Sequence, residues 1–443
     1  MTALSKRIAG DDGDPVLQGS GGRTATTADL AATGLSDRIA ADDRVALAVA
    51  DPFEAVRALA LLDGRVAAIL LLSRSLAPDL VAELADKAGC TLCISDRTLA
   101  LPGDLCLVPS GEMAGDRTDA DAATAWLMTT SGTTGTPKII PHNLRSLSHS
   151  VYRFGPETRP AWGLLYDPTR FAGLQVALQA LVGGGRLIVT DPDAGIGAQV
   201  AALAEGGCTH LSATPTLWRR VLMTPGHDRL SLRQVTLGGE IADQSTLDAL
   251  ARAFPDARRT HIYASTEAGV GFSVTDGKAG FPETYLGNAP GRIRMDVRDG
   301  ILWLKPAETA LTTGVDGVEI DADGFVNSGD RVAVSDGRVT FLGRENGLIN
   351  VGGAKVHPET VEAVIRSVPG VALVRVSGKA SPVMGALVMA EIQLDAGADK
   401  DETRTRVQEA CRAKLNREAM PASLRFVEDF EINASGKLVR ART

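Results

Sequence analysis

The segment from Thr130 to Lys138 combines hydroxyl side chains, glycines and one lysine in nine consecutive positions. Glycine lets the backbone approach a ligand closely, and backbone N–H groups, hydroxyls and an ammonium can together bind a polyphosphate. The segment is not a Walker A loop, because Gly132 and Gly135 are too close together and Lys138 is not followed by Ser or Thr. A solvated turn is the alternative that composition alone favours. We predict a phosphate-binding loop formed by Thr130, Ser131, Gly132, Thr133, Thr134, Gly135 and Lys138.

Three other short motifs carry side chains that suit the same kind of ligand. In the segment from Tyr263 to Glu267 a threonine precedes a glutamate, and the two together can bind a phosphate oxygen and a Mg²⁺ ion. Asp330 follows a glycine turn, and its carboxylate can accept two hydroxyl groups, as a ribose would offer. Lys437 lies close to the C-terminus in Ser435-Gly436-Lys437. Taken singly, a solvated loop, an ordinary turn aspartate and a solvated tail explain these motifs as well or better.

The elements around these motifs alternate between apolar strand patterns and helical patterns. Strands are predicted at residues 44–50, 66–72, 91–95, 187–190, 210–213, 234–237 and 261–263. Strands that alternate with helices predict a parallel sheet with right-handed crossovers. Ligands of such sheets bind at the carboxyl ends of the strands, which is where several of the motifs fall.

The pattern changes after about residue 291, where short strands separated by Asp/Gly turns indicate antiparallel sheet. A boundary is predicted near residues 343–347, and a compact α+β unit follows it. We therefore predict an α/β fold with a large N-terminal domain, residues 1–343, of mostly parallel sheets flanked by helices plus a β-rich segment. A small mobile α+β domain, residues 344–443, completes it. Residues 1–26, rich in Gly, Asp, Ser and Thr, are predicted to be loosely ordered at least in part.

The order of these motifs, from roughly Thr27 to Lys437, resembles the adenylate-forming superfamily of acyl-CoA synthetases, peptide-synthetase adenylation domains and luciferases. The phosphate loop and Ser435-Gly436-Lys437 carry the most specific likeness. Four positions depart from the family pattern: Ala264 stands for glycine, Ser328 for threonine, Asn346 for the commoner hinge Asp or Lys, and Glu431 for proline.

The resemblance implies an ATP site and assigns roles within it. Lys437 would be the mobile catalytic lysine, because an ammonium between a carboxylate and an α-phosphate neutralises charge that builds in the transition state. Thr266 would contact the α-phosphate, and Glu267 would bind Mg²⁺. The other implied ATP-binding residues are those of the phosphate loop together with Gly239, Glu240, Tyr263, Ala264, Ser265, Asp330 and Arg344.

An acyl pocket is implied by the same resemblance, with Arg170, Phe171, Gly173, Gly238, Gly269 and Gly271 as its lining. Arg170 stands where the family often has a histidine. It is either a partner for an anionic or polar group or an exposed loop arginine, since arginine suits both. Gly353 and Lys355 resemble the glycine loop that approaches CoA, and Asn346 occupies the hinge about which the C-terminal domain would rotate.

The implied reaction is a two-step, AMP-forming ligation of a small carboxylic acid to a thiol. The acid attacks the α-phosphorus of Mg-ATP to give an acyl-adenylate and pyrophosphate, and the thiol of CoA then takes the acyl group and releases AMP. No aspartate that would bind an α-amino group is obvious in the pocket segments, which favours a stand-alone ligase. Two alternatives stay open: the phosphopantetheine of an acyl carrier protein as the acceptor, and a non-catalytic nucleotide-binding member of the family.

Composition excludes several other functions. The net charge of −8 and the lack of a long basic run argue against a nucleic-acid partner. The longest apolar stretch, residues 66–72, is far too short to span a bilayer. Five scattered cysteines suit a reducing cytoplasm, which is the predicted location. A homodimer is the predicted assembly.

Overall fold

The computed structural model describes residues 3–8, 13–99, 105–116, 122–130, 137–155, 157–266, 269–287, 293–305, 319–381, 384–433 and 435–439. Most of the phosphate loop and the proposed magnesium ligand therefore lie outside the described residues, namely Ser131, Gly132, Thr133, Thr134, Gly135 and Glu267.

The described helices are α1 Thr27–Ala32, α2 Pro52–Leu62, α3 Pro78–Lys87, α4 Leu144–Ser148, α5 Phe171–Leu181, α6 Ile196–Glu205, α7 Pro215–Met223, α8 Gln244–Ala253, α9 Pro358–Arg366 and α10 Lys400–Lys414. The described strands are β1 Pro15–Gln18, β2 Thr24–Thr26, β3 Gly34–Leu35, β4 Arg44–Ala48, β5 Ala68–Leu71, β6 Leu92–Ser95, β7 Cys106–Pro109, β8 Ala114–Gly115, β9 Ala125–Thr130, β10 Lys138–His142, β11 Ala161–Leu164, β12 Arg186–Val189, β13 His210–Ala213, β14 Gln234–Gly238, β15 Arg258–Ser265, β16 Gly269–Val274, β17 Phe281–Pro282, β18 Arg294–Arg298, β19 Ile301–Lys305, β20 Val326–Ser335, β21 Arg338–Arg344, β22 Ile349–Val351, β23 Ala354–Val356, β24 Val371–Ser381, β25 Gly385–Leu394 and β26 Ser423–Phe426.

Two large sheets, mostly parallel, form the first part of the chain. One has the strand order β16-β15-β14-β13-β11-β12-β1-β2 and is antiparallel only at its two edge pairs. The other has the order β10-β9-β5-β4-β6-β7 and is antiparallel only where β10 meets β9. The alternation of strands and helices in the sequence predicted these parallel arrangements, and the predicted fold class is confirmed.

Both faces of the second sheet are buried, and this explains why its strands are apolar without alternation. Val45 and Leu47 of β4 join the largest core, whereas Ala46 and Ala48 face a second core that packs against α3. A strand covered on both sides has no solvent face and needs no polar positions.

The N-terminal residues are more ordered than the sequence predicted. Strand β1 joins the first sheet in parallel with β12, with Leu17 opposite Leu187. The backbone N–H of Leu4 donates to the buried carboxylate of Asp63 at 2.7 Å. Hydrophobic burial at Val16 and Leu17, both fully buried, outweighs the polar composition of the segment. The prediction of loose order is therefore wrong for residues 3–8 and 13–26.

The remaining strands form an antiparallel segment and a separate C-terminal sheet. The order β17-β21-β20-β19-β18 defines the antiparallel segment, and β23-β22-β25-β24 with β26 beside β25 defines the C-terminal sheet. The C-terminal sheet shares its own core with α9 and α10, including Val361 and Val407. The predicted β-rich segment and compact α+β unit are thus present. Within the described ranges no helix is long and apolar enough to cross a membrane.

One strand of the first sheet is longer than the sequence predicted. Strand β15 runs from Arg258 to Ser265, although only residues 261–263 were predicted. It is longer because it pairs on both sides, in parallel with β14 and antiparallel with β16, and such pairing extends a strand beyond its apolar centre.

Candidate active site

The two ends of the phosphate loop lie on a β-hairpin at the edge of the second sheet. Thr130, the last residue of β9, pairs with Lys138, the first residue of β10. Strand β9 is anchored in the sheet by β5, and the Thr129 hydroxyl donates to the Leu71 carbonyl at 3.3 Å. The described flanks of the loop are therefore held at the carboxyl end of a central strand, where the sequence predicted a ligand.

A histidine joins this hairpin to the second motif. Nε2 of His142, at the end of β10, donates to the carbonyl oxygen of Thr266 at 2.9 Å. Tyr263, Ala264 and Ser265 precede Thr266 on β15. His142 was not predicted as a site residue, because the two hydrogen-bonded residues are 124 positions apart and nothing local in the sequence links them.

Asp330 is the centre of a hydrogen-bonded triad. The Tyr263 hydroxyl donates to its Oδ2 at 2.5 Å, and Nε of Arg344 lies 2.9 Å from its Oδ1. The Asp330 side chain is 14% exposed. Arg344 is the last residue of β21, which pairs antiparallel with β20, the strand that carries Asp330. Each carboxylate oxygen has a second lone pair, so the group can still accept hydroxyls. The triad brings together three residues predicted to bind ATP.

The Tyr263 ring is fixed by other aromatic rings. It stacks with Phe272 at a centroid distance of 5.4 Å and with Phe341 at 5.3 Å, with interplanar angles of 8° and 4°. Burial, reinforced by the neighbouring Asp330 carboxylate, raises the pKa of Tyr263 well above its usual value. The phenol therefore stays protonated and remains a hydrogen-bond donor to Asp330.

Gly239 and Glu240 follow strand β14 of the first sheet, at the same edge as the end of β15. Gly239 has a φ of +80°, which favours glycine. A carboxylate oxygen of Glu240 accepts from the backbone N–H of Thr216 at 3.0 Å, which ties this turn to the first turn of α7. Gly238 and Glu240 are half-buried, and Gly239 between them is exposed.

Lys437 reaches the same turn from the far end of the chain. A β-carbon placed on Gly239 would lie 3.5 Å from Cε of Lys437 and 3.9 Å from its Nζ. The Lys437 backbone N–H donates to Oδ1 of Asn433 at 3.1 Å. Next to it, the Thr214 hydroxyl donates to the carbonyl oxygen of Gly436. The structure therefore brings together Lys437 and the Gly239 turn, two parts of the site that the sequence predicted separately.

Gly436 explains how the lysine segment fits so closely. Its φ is +72°, and a β-carbon there would lie 2.4 Å from Cδ1 of Leu217 on α7. Any larger residue would strain this backbone and force the Leu217 side chain to shift. The glycine that the sequence placed before the lysine is thus required by a close approach.

Arg170 lies at the start of α5, beside the end of strand β9. Its Nη1 donates to the carbonyl oxygen of Thr129 at 3.3 Å, and burial lowers the pKa of its guanidinium. Its Nε is buried without a hydrogen-bond partner among the described residues. The alternative of an exposed loop arginine is therefore wrong. The following residue, Phe171, has its ring 6.2 Å from that of His142.

The glycines predicted to line the acyl pocket have different surroundings. A β-carbon on Gly173 would lie 2.2 Å from the carbonyl oxygen of Asp167, which indicates close backbone packing of α5. One on Gly271 would lie 3.0 Å from the Tyr263 carbonyl oxygen, across the β15–β16 pair. One on Gly269 would lie 3.7 Å from Cε1 of His149. Gly173 and Gly271 thus have a packing reason to be glycine.

The residues predicted for CoA and for the hinge lie in and before the C-terminal sheet. Gly353 lies in the turn after β22 and has a φ of +91°. Lys355 lies on the following strand, β23, and is exposed. Asn346 lies in a short 3-10 turn, Glu345–Gly347, directly after β21. Just before it, Gly343 has a φ of +140°, and a β-carbon there would lie 2.2 Å from Oε2 of Glu359.

The donor set for a magnesium ion is incomplete in the described part of the chain. Glu267, the predicted ligand, lies outside it. Among the residues that are described, no three His, Cys, Asp or Glu side chains cluster so as to hold a metal ion. Mg²⁺ usually keeps several waters and is bound by one or two carboxylates together with substrate phosphates, so a nucleotide-bound Mg²⁺ would not need a cluster of three such side chains.

Comparison with known proteins places the chain in a family. Residues 22–299 match the model of the AMP-binding enzyme family, and residues 360–437 match that of the AMP-binding enzyme C-terminal domain. The chain belongs to the AMP-binding enzyme family. The predicted membership of the adenylate-forming superfamily is confirmed.

Two curated relatives and one solved structure illustrate the likeness. A 2-succinylbenzoate–CoA ligase of Geobacillus kaustophilus (strain HTA426) is 26% identical in an alignment 395 residues long, which covers 80% of this chain and 78% of the ligase. A probable non-canonical nonribosomal peptide synthetase, CymA, of Salinispora arenicola (strain CNS-205) is 28% identical in an alignment 361 residues long, which covers 73% of this chain but 4% of the synthetase. The crystal structure of the anthranilate CoA ligase AuaEII in complex with anthranoyl-AMP has a TM-score of 0.80 at 17% identity and covers 96% of this chain and 93% of that one.

Proposed function

We propose that the protein is an AMP-forming acid–thiol ligase, which converts a small carboxylic acid and Mg-ATP to an acyl-adenylate and transfers the acyl group to CoA. The observation that carries the proposal is the position of Lys437, which lies against the Gly239 turn at the carboxyl edge of the first sheet. A C-terminal lysine in a solvated tail would not be held there by Asn433 and Thr214.

The proposed first step is adenylation. The phosphate loop would hold the β- and γ-phosphates, Thr266 the α-phosphate, and Glu267 the Mg²⁺ of Mg-ATP. Asp330 would accept the ribose hydroxyls, since its carboxylate is oriented by Tyr263 and Arg344. Gly239 and Glu240 would border the adenine. The Lys437 ammonium would neutralise charge between the attacking carboxylate and the α-phosphate, and fixed positioning of this kind supplies much of the rate.

The proposed second step transfers the acyl group to a thiol. CoA is the acceptor we favour, because the Geobacillus relative, which aligns over most of its length, is a CoA ligase. Gly353 and Lys355 would approach its pantetheine arm. A carrier-protein phosphopantetheine is the second candidate, and the similarity to a peptide synthetase supports it.

We also propose a division at residues 343 and 344, with rotation of the C-terminal domain about Asn346 between the steps. The separate core of the C-terminal sheet supports the division. Rotation is supported by the two roles proposed for one small domain, since adenylation would use Lys437 and thioester formation would use the Gly353 turn. The cytoplasm and a homodimer stay predictions, and the free cysteines of the described residues suit the former.

For the acid, we propose an aryl acid that carries a second anionic or polar group. The buried Nε of Arg170 is a donor without a partner among the described residues, and a buried guanidinium is stabilised by an anionic ligand. The named substrate of the Geobacillus relative, 2-succinylbenzoate, is an aryl acid with a second carboxylate. The panel of acids for the first assay should therefore begin with compounds of this type.

ATP–pyrophosphate exchange over aryl, short-chain and medium-chain acids tests the ligase proposal. We expect exchange with one class of acid and its loss in Lys437→Ala. Product mass with CoA, and in parallel with a phosphopantetheinylated carrier protein, then identifies the acceptor. A protein that binds ATP but supports exchange with no acid in the panel would be the non-catalytic alternative, which the changes at Ala264, Asn346 and Glu431 keep open.

A further inference from the structure

A buried group of four charges lies between the first part of the chain and the C-terminal sheet and its helices. Arg219 and Asp243, at α7 and the start of α8, face Glu362 and Arg366 of α9. We call these four residues the interface cluster. Their side chains are 12%, 10%, 5% and 15% exposed, in that order. Charges so deeply buried are costly unless each has a partner.

The ion pairs of the interface cluster form a chain with one link between the two parts. Nη2 of Arg219 lies 3.3 Å from Oδ1 of Asp243, within the first part. Nη2 of Arg366 lies 3.6 Å from Oε2 of Glu362, within α9. The pair between Oδ2 of Asp243 and Nη1 of Arg366, at 3.1 Å, joins the two parts.

Each half of the interface cluster is electrically neutral by itself. If the two parts separated, Asp243 would keep Arg219 and its bonds to Ser245 and Thr246. Arg366 would keep Glu362, whose other carboxylate oxygen accepts from the backbone N–H of Val376 at 2.8 Å. Breaking a buried pair is expensive mainly because it leaves a charge uncompensated. Here separation leaves none, so the link is reversible at low cost.

The interface cluster is close to the segment that holds the catalytic lysine. Helix α7 carries Arg219, which also donates to the carbonyl oxygen of Ala372 at 3.3 Å on β24. Thr214, immediately before α7, donates to the carbonyl oxygen of Gly436, and Leu217 packs on that glycine. Helix α7 therefore contacts both β24, the strand beside α9, and Gly436, the residue before Lys437.

We propose that the Asp243–Arg366 ion pair is a releasable latch, which holds the C-terminal domain in the position that places Lys437 at the Gly239 turn. When the pair breaks and the domain moves away, neither side is left with an uncompensated buried charge. Asp243 and Arg366 are positioning residues, since they act through the placement of Lys437. The proposal rests on the proposed ligase function, because only a two-step reaction requires the domain to leave this position.

The test separates the two half-reactions in Asp243→Asn, which retains a side-chain oxygen to accept from the Thr246 N–H and cap α8 but removes the charge. We expect ATP–pyrophosphate exchange to fall by at least about tenfold, because loss of a charged hydrogen bond such as that between Asp243 and Arg366 shifts the docked population by that factor. Thioester formation from a preformed acyl-adenylate and CoA should be unchanged or faster. Arg366→Gln should behave in the same way, and Arg366→Lys should recover part of the exchange.

Arg298→Gln is the matched control, because it removes ion pairs with Asp296 and Asp321 that lie within the antiparallel segment. It should leave the ratio of the two half-reactions as in the wild type. A fall of both half-reactions by the same factor in Asp243→Asn, or a change in neither, would overturn the latch.

Amide hydrogen exchange provides a readout that does not depend on activity. Asp243→Asn should raise exchange in α9 and around residues 432–439 relative to wild type and to Arg298→Gln. Equal exchange in all three proteins would overturn the latch. A wild type that supports no pyrophosphate exchange with any acid would refute the ligase function instead, and the hydrogen-exchange comparison alone would then decide whether the pair docks the domain.

Discussion

The Tyr263 hydroxyl donates to Oδ2 of Asp330 at 2.5 Å, which joins strand β15 of the first sheet to the antiparallel segment. The two residues are 67 positions apart, and each belongs to a motif predicted to bind ATP. Because Arg344 holds the other carboxylate oxygen, the orientation of Asp330 is determined from two sides. The protein itself therefore sets the orientation of the carboxylate that we propose as the ribose ligand.

This relationship predicts graded effects on ATP binding. Asp330→Asn should raise the KM for ATP by more than about tenfold, because charge-assisted hydrogen bonds contribute about 1.5–3 kcal/mol each. Tyr263→Phe should have a smaller effect, since it releases one side of the carboxylate but keeps the acceptor. Steady-state kinetics with ATP as the varied substrate measures both. Asp276→Asn is the control, because Asp276 pairs with Arg338 in the same segment. An equal KM in Asp330→Asn and in this control would contradict the assignment.

Lys437→Ala should affect the first half-reaction selectively. We expect pyrophosphate exchange to fall by about 10²–10³-fold, the usual loss when one preorganised transition-state donor is removed. Thioester formation from a preformed acyl-adenylate should persist. Lys414→Ala, at an exposed position at the end of α10, controls for the loss of a lysine in the same part of the chain. Exchange that survives in Lys437→Ala would show that this lysine is not the catalytic one.

Gly239→Ala tests whether position 239 must lack a side chain for Lys437 to lie against the turn. The new methyl group would lie 3.5 Å from Cε of Lys437, on a backbone with a φ of +80°. Gly226→Ala has the same kind of strain, with a φ of +86°, but faces Arg229 instead. Both variants should lose about 1–2 kcal/mol of stability because of the left-handed backbone, as measured by denaturant unfolding. Only Gly239→Ala should also lose pyrophosphate exchange, and equal activity in the two variants would refute a role for the turn.

Arg170→Ala should change the preference among acids. Its guanidinium is buried beside the end of β9, so an acid with a second anionic group should lose more kcat/KM than benzoate does. We expect the ratio between such acids to fall by about tenfold or more, as for the loss of a charged hydrogen bond. Arg170→Lys, which keeps the charge without the bidentate geometry, is the informative comparison. An unchanged ratio across the panel would show that Arg170 is structural.

The stability of the fold should decrease in acid because of His210. Burial lowers the pKa of this imidazole to about 4 from 6.5, so the folded state prefers the neutral ring. The contribution of the neutral His210 ring to the free energy of unfolding is fully present above about pH 6.5. It falls by at most about 3 kcal/mol as the pH decreases towards 4. Denaturant unfolding from pH 7 to 4 should show a smaller loss in His210→Phe than in the wild type. Parallel curves for the two proteins would assign the acid sensitivity to other groups.

Much of this molecule could be predicted from its residues in order. The apolar strands, the position of the β-rich segment and the compact C-terminal unit followed from local patterns, because periodicity and turn residues act over a few positions. The N-terminal segment was predicted wrongly, since its polar composition hid the burial of Val16 and Leu17 in a sheet that forms only with β12.

The sequence by itself determined which residue types are available for adenylate chemistry and the order in which they occur. The tertiary structure alone decided which of them meet: His142 with Thr266, Tyr263 with Asp330, Lys437 with Gly239, and Asp243 with Arg366. Local propensity depends on neighbouring residues, whereas these contacts depend on how sheets and helices pack. Electrostatic partners far apart in the chain leave no periodic signal, so only the folded molecule shows that Asp243 and Arg366 form an ion pair.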